Sequence, residues 1–155
     1  MKHRIRAAGI AVKDDKILLI KHVHEDDEYW VPPGGGLEPG DGSTEGTVKR
    51  EVFEESGLEV TVGPLIFVRE FFEKSRDTYH VEQFYMITEW RGELSLDNLR
   101  GLGSDEHIIT KARWLSREEL VTAKVFPEEL RDLIWSKIKE PSISACHLGL
   151  QIEGL

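Results

Sequence analysis

Between Pro32 and Ser43 the chain reads PPGGGLEPGDGS, five glycines and three prolines in twelve residues, and TEGTVKREVFEES follows directly. No other stretch constrains the fold as much. The prolines break a helix and a cluster of glycines disfavours one, so the loop must end where the helix begins. Ser43 supplies an N-cap, Glu45 puts a negative charge in the first turn, and Gly57 offers the left-handed residue that closes many helices. Val48 and Val52, four apart, turn together toward a core. Glu51, Glu54 and Glu55 stand at spacings of three and four and share a face, where like charges each destabilise a helix by roughly 0.2–0.5 kcal/mol. Only Arg50, four residues before Glu54, compensates from within that turn.

An acidic helix face by itself reads as a solvated surface. Beside a glycine loop it reads differently, because backbone without side chains lets a phosphate or a metal approach closely. Carboxylate and carbonyl oxygens suit Mg2+ or Mn2+, and Mg2+ commonly bridges one or two carboxylates to a substrate's phosphates. Metal-assisted phosphate chemistry is the function this pairing suggests. It also reconciles an anionic substrate with a chain that holds 20 Lys and Arg against 29 Asp and Glu, a net charge of −9. That charge argues against binding nucleic acid or an anionic membrane through bulk electrostatics.

The 155 residues suit one compact domain, 1–155, with residues 142–155 as a tail that forms a late strand or a contact segment. The single cysteine, Cys146, reads as a small buried or half-buried apolar residue. The N-terminal stretch lacks the apolar core of a signal peptide, and no run approaches a membrane span, so a soluble cytoplasmic protein is expected. Along the chain, RIRAAGIAV and ILLIKHV read as a hairpin across KDDK, and HEDDE (24–28) as a solvated loop before a short extended YWV. LEVTV, a break at Gly63-Pro64, LIFVREFFE and TYHVEQFYMITEW read as strands, the last two as a long hairpin. Residues 91–107 read as a loop, HIITKARWL as a strand, and Ser116 with Glu119 as a capping box. FPEELRDLIWSKIKE reads as an amphipathic helix with Pro127 in its first turn and Pro141 at its end.

The run GGGLEPGDGSTEGTVKREVFEESGL resembles the Nudix box: Gly, five residues, Glu, seven residues, then Arg-Glu-apolar-x-Glu-Glu-x-Gly-apolar. Arg50, Glu51, Val52, Glu54, Glu55, Gly57 and Leu58 match its second half in full. The first half departs, with Asp41 where the family has Glu and one residue inserted near Gly42. YWVPPGG and DEHIITKARWLSREEL resemble the family's flanking segments more loosely. The resemblance implies an α+β fold, an α/β/α sandwich around a mixed sheet with the box as loop-helix-loop. It also implies an enzyme that hydrolyses a nucleoside diphosphate linked to another group, by water attack on phosphorus. Glu54 and Glu55, with Glu51 and the Gly35 or Gly36 carbonyl, are then expected to hold Mg2+ or Mn2+. Arg50 is expected to orient a helix glutamate, and Glu51 or a distal carboxylate, Glu106 before Asp105, to act as general base.

Arg69 and Arg76 are candidates for phosphate contact, and Trp30 and Phe71 for stacking on the substrate. His22 and His24 share one side of a strand without a third ligand, which argues against zinc; His80 and His107 read as structural or surface residues. No marker selects among nucleoside triphosphates, nucleotide sugars and ADP-ribose-like molecules, so the partner is a nucleotide-type small molecule. The apolar tail is a candidate for self-contact in a homodimer. The rival function is a noncatalytic nucleotide-sensing or interaction module on the same fold, which the intact set of helix glutamates disfavours.

Overall fold

The computed structural model describes residues 1–102 and 104–155, without the side chains of Ser104 and Asp105. Strand β1 (Lys2–Ile10) lies inside a five-stranded mixed sheet with β5 (Gly34–Gly36), β6 (Glu59–Glu73), β7 (Thr78–Arg91) and β9 (Cys146–Ile152), in the order β5-β1-β7-β6-β9. A second sheet centres on β3 (Lys16–His24), which pairs antiparallel with β2 (Val12–Lys13), β4 (Asp27–Val31) and β8 (Ile109–Ser116). Helix α1 (Thr44–Ser56) packs on one side of the mixed sheet; the short helices α2 (Arg117–Thr122) and α3 (Leu133–Lys137) join the core on the other. This is the sandwich around a mixed sheet that the resemblance implies.

Of the three apolar clusters among the described residues, two lie on either side of the mixed sheet. Ala7, Ala11, Leu18, Val48, Val52, Leu58 and Ile87 form the one beneath α1. The small residues of β1 permit that approach: a Cβ on Gly9 would stand 2.9 Å from Val48 Cγ1. Ile10, Leu19, Phe67, Phe84, Leu120, Leu130 and Ile134 belong to the larger cluster on the opposite side. Among the described residues no helix is long and apolar enough to cross a membrane.

The first expected hairpin is corrected. Only Val12–Lys13 pairs back onto Lys16–Ile17, across Asp14 and Asp15, both left-handed at φ 51° and 56°, as a two-residue hairpin turn requires. β1 itself leaves that sheet to lie parallel to β7, with Lys2 opposite Thr78 and Ile10 opposite Met86. HEDDE is likewise a tight hairpin rather than a loop, since His24 pairs with Asp27. Gly63-Pro64 does not break the chain into two strands: β6 is continuous, and Pro64, which has no N–H to give, falls where the register with β7 shifts. The long amphipathic helix is also corrected. A 3-10 turn at Glu128–Leu130 precedes α3, because Asp132 turns its carboxylate onto the Leu133 N–H and starts a new helix. Arg131, at the break, donates to the Leu120 and Ala123 carbonyls at the end of α2. The capping box of Ser116 and Glu119 is as read, and so is the loop character of the described residues from 92 to 107, with short 3-10 turns, while Arg91, expected in that loop, ends β7 instead. The tail forms β9, parallel to β6, and Cys146 is half-buried at its start.

Candidate active site

Helix α1 starts and stops where its sequence dictates. Ser43 Oγ accepts from Gly46 N at 3.1 Å, and Gly57, at φ 81°, returns its N–H to the Phe53 carbonyl. Gly46 itself sits against the Asp41 carbonyl with no room for a Cβ. The loop and the helix are therefore locked together by backbone contact before any side chain is considered.

Strand β5 lies at the edge of the mixed sheet, facing α1. Gly9 N donates to Pro33 O and Leu37 N to Ile5 O, which makes Ala7–Gly35 the hydrogen-bonded pair between them. Gly34 and Gly36 then turn their main-chain groups outward. Gly34 N donates to Glu55 Oε1 at 2.8 Å, and the Gly36 carbonyl accepts from Arg50 Nη2 at 3.0 Å. Glu51 lies against bare Gly35 backbone, in space a Cβ would occupy: such an atom would stand 2.6 Å from the Glu51 Cδ. That is the structural use of the triple glycine.

Arg50 organises the acidic cluster. Its Nε and Nη2 reach the two Asp41 oxygens at 2.7 and 3.0 Å, while Nη1 donates to Glu51 Oε1 at 2.8 Å and approaches Glu54 Oε2 at 3.3 Å. Asp41 Oδ2 also accepts from Glu38 N at 2.9 Å and from Thr47 Oγ1 at 2.8 Å. The hydrogen bonds from Arg50, before anything else, hold the Asp41 carboxyl far below the ordinary carboxylate range, and Asp41 in turn pushes the guanidinium pKa up. Glu51 behaves oppositely. Burial raises its pKa, opposed by Arg50 and, more weakly, by the charge of Arg6 on β1.

Arg50, Glu51, Glu54, Glu55, Gly35 and Gly36 are thus brought together. Among the described residues no three His, Cys, Asp or Glu side chains converge as a ready-made metal cage. Glu51 and Glu54 lean on Arg50, and Glu55 on Gly34 N. Arg69 and Phe71 stand on β6, where Arg69 bonds Glu82 Oε2 at 2.8 Å and Phe71 stacks on His80. Arg76 is apart from them, exposed and ion-paired with Glu73 at 3.3 Å. Trp30, on β4, packs against the larger core with Lys21 and Arg113 over its ring. Glu106 lies half-buried in the 3-10 turn Ser104–His107, and no hydrogen bond or ion pair among the described residues joins it to α1; the Asp105 side chain is outside the described residues.

Sequence reasoning did not assign Asp41 its role as the clamp on Arg50, and it passed over Arg6 and Glu82. Arg4 and Arg6 alternate along β1, so they share one face of the strand; that period-two pattern was the available signal.

A family model of the NUDIX domain matches residues 3–134. The chain belongs to this family. It is 32% identical over 94 residues to the human diphosphoinositol polyphosphate phosphohydrolase 3-alpha, covering 57% of this chain and 54% of that one. The chain thus spans about half the length of the curated relatives it matches. Among solved structures of Nudix type, a MutT protein from Bacillus halodurans superposes with TM-score 0.69 at 23% identity, over 97% of this chain and 91% of that one. An ADP-ribose pyrophosphatase from Streptococcus suis gives TM-score 0.63 at 18% identity, over 96% and 98%. At these identities the likeness to the solved structures is one of fold.

Proposed function

We propose that this Nudix domain, residues 1–155 with β9 included, is a divalent-metal-dependent pyrophosphohydrolase that cleaves a phosphoanhydride in a nucleotide-type substrate. The observation that carries this reading is the Glu51 carboxylate seated on the bare backbone of Gly35, with the Arg50 guanidinium between it and Glu54. The donor set fits Mg2+ or Mn2+: hard carboxylate oxygens of Glu51, Glu54 and Glu55 beside the Gly36 carbonyl, the Gly35 carbonyl being turned to β1, with few protein ligands needed because Mg2+ keeps waters and substrate phosphates around it. When bound, such an ion neutralises phosphate oxygens and lowers the pKa of a water.

The chain's own residues do the rest. Glu54, the most outward of the three glutamates, is the principal ligand. Arg50 is a positioning residue: it is tied to Asp41 and the Gly36 carbonyl and fixes the rotamers of Glu51 and Glu54. Glu51 is the first choice as proton acceptor from the attacking water, and Glu106 the second. Relatives and neighbours with names such as diphosphoinositol polyphosphate phosphohydrolase and ADP-ribose pyrophosphatase support the same class of bond.

The test is turnover of a panel of nucleoside triphosphates, nucleotide sugars and ADP-ribose with Mg2+ or Mn2+. At least one should yield a nucleoside monophosphate, and Glu54→Gln should lower its kcat at least about 100-fold, the upper end of what loss of an outer-shell partner of a metal site already costs, with an unchanged thermal midpoint in metal-free buffer. Full activity in that variant, or turnover that survives chelation, would overturn the proposal.

A further inference from the structure

Strand β9 lies beyond the residues that match the family, 3–134. It nonetheless pairs with β6 and, with the 3-10 turn Glu128–Leu130, walls a groove of about 410 Å³, a volume typical of small-molecule sites. Arg69, Glu128, Glu129, Leu148, Gln151 and Leu155 line it. The Arg69 guanidinium is fixed at the edge of this groove. It bonds Glu82 at 2.8 Å and Gln151 Oε1 at 3.4 Å, and lies over the rings of Phe71 and Phe84 at 6.0 and 5.9 Å.

From Arg69 a charged track crosses the sheet. Glu82, on β7, receives Arg69 from β6 and stands 3.8 Å from Arg6 Nε on β1. Arg6 is opposite Gly36, on the strand next to the carboxylate helix. Two strand spacings, about 10 Å, separate β6 from β1, and the further spacings to β9 and β5 bring the span from groove to carboxylate helix to about 19 Å, a span of the order of an extended nucleoside polyphosphate. The groove's chemistry differs from that of the track. Glu128 and Glu129 repel a polyanion, Leu148 and Leu155 offer apolar walls, and Arg69 has its charge shared with Glu82. Gln151, whose oxygen is taken by Arg69, has its amide nitrogen as a remaining donor.

We propose that the β9 groove receives the heterocyclic base of a nucleotide-type substrate, with Gln151 reading the base and Arg69 and Arg6 directing its phosphates toward Glu51. This rests on the hydrolase reading and names its substrate class. β9 is then a specificity element that the family match does not contain.

The experiment is titration calorimetry of the full chain with AMP, GMP, CMP and UMP, and with inorganic pyrophosphate, in the presence of Mg2+. Wild type should prefer one base. Gln151→Leu, which keeps the volume and removes the amide, should weaken that monophosphate about five- to tenfold and leave pyrophosphate unchanged, the scale of one or two hydrogen bonds. Leu155→Asp, at an 85% exposed terminal position where folding is not at stake, should weaken it about threefold, the scale set by one partly screened charge at the mouth of the groove. Equal affinity for all four bases with no effect of either variant would overturn the proposal. So would equal losses for pyrophosphate, or sedimentation showing a second copy of the chain in the groove through a dimer that either variant dissolves. If wild type turns over an inositol diphosphate and Gln151→Leu does so equally well, the base assignment falls and the hydrolase reading stands. If wild type hydrolyses nothing but binds one monophosphate through Gln151, the hydrolase reading falls and the groove stands.

Discussion

Replacing Asp41 with alanine removes the clamp on Arg50, and its effect follows from the contacts. The Asp41 side chain is 3% exposed and accepts two bonds from Arg50, one from Thr47 and one from Glu38 N. All four bonds end on an ionised carboxylate, and such charge-assisted bonds contribute roughly 1.5–3 kcal/mol each, a gross of about 6–12 kcal/mol. Arg50 keeps the Gly36 carbonyl, Glu51 and Glu54, and its side chain is 23% exposed, so remaining acceptors and water return about three quarters of that. About 2–3 kcal/mol is left, which for a chain of this size lowers the thermal midpoint by about 5–10 °C. Asp41→Asn retains an acceptor and should lose about half as much.

The pH dependence is equally specific. The Asp41 pKa is depressed in the fold, so its stabilisation is complete above the ordinary aspartate value near 4 and is lost as pH falls from there toward the folded value. Differential scanning calorimetry should therefore find a constant gap between wild type and Asp41→Ala from about pH 5 to 8, narrowing in stronger acid. A midpoint within about 2 °C of wild type at pH 7, or a gap that widens below pH 4, would refute the assignment.

Gly35→Ala should be more harmful than a surface glycine change, because its methyl meets the Glu51 carboxylate: overpacking of about 1–3 kcal/mol, with kcat falling alongside, both read from one purified sample. Glu51→Gln should raise the thermal midpoint of the metal-free protein at pH 7. The folded Glu51 pKa is raised by burial, so the stabilisation from its protonated form is full below the ordinary glutamate value and fades as pH climbs through the folded value; the advantage of glutamine should vanish near pH 4. Mg2+ should raise the midpoint of wild type with its concentration by mass action, and much less that of Glu54→Gln, in a fluorescence melt.

What could be read from sequence was local. The start of α1 at Ser43, its end at Gly57, the inward turn of Val48 and Val52, and the capping box of Ser116 each depend on residues within one or two turns of each other. Expectations failed where a pairing or break is set by distant residues. RIRAAGIAV and ILLIKHV have the same apolar signature, and nothing within them reveals that β1 belongs beside β7. The helix expected over FPEELRDLIWSKIKE has the right apolar face, since Leu130, Ile134 and Trp135 are buried. It is divided because Asp132 and Arg131 spend their side chains on backbone groups.

The carboxylates of the site were in view because a helix fixes their spacing by itself: i, i+3 and i+4 are neighbours on any α-helix. What those carboxylates face was a tertiary decision. Gly34 and Gly36 turn toward α1 only because Gly35 is paired with Ala7, and Arg6 meets Glu82 and Arg69 only because β1, far away in sequence, is laid beside the β6–β7 hairpin. The Asp41 carboxylate, one residue out of place in the family's pattern, could be named from the sequence. That it closes on Arg50 follows from the three-dimensional path of the loop, which brings a residue nine positions away within hydrogen-bond reach.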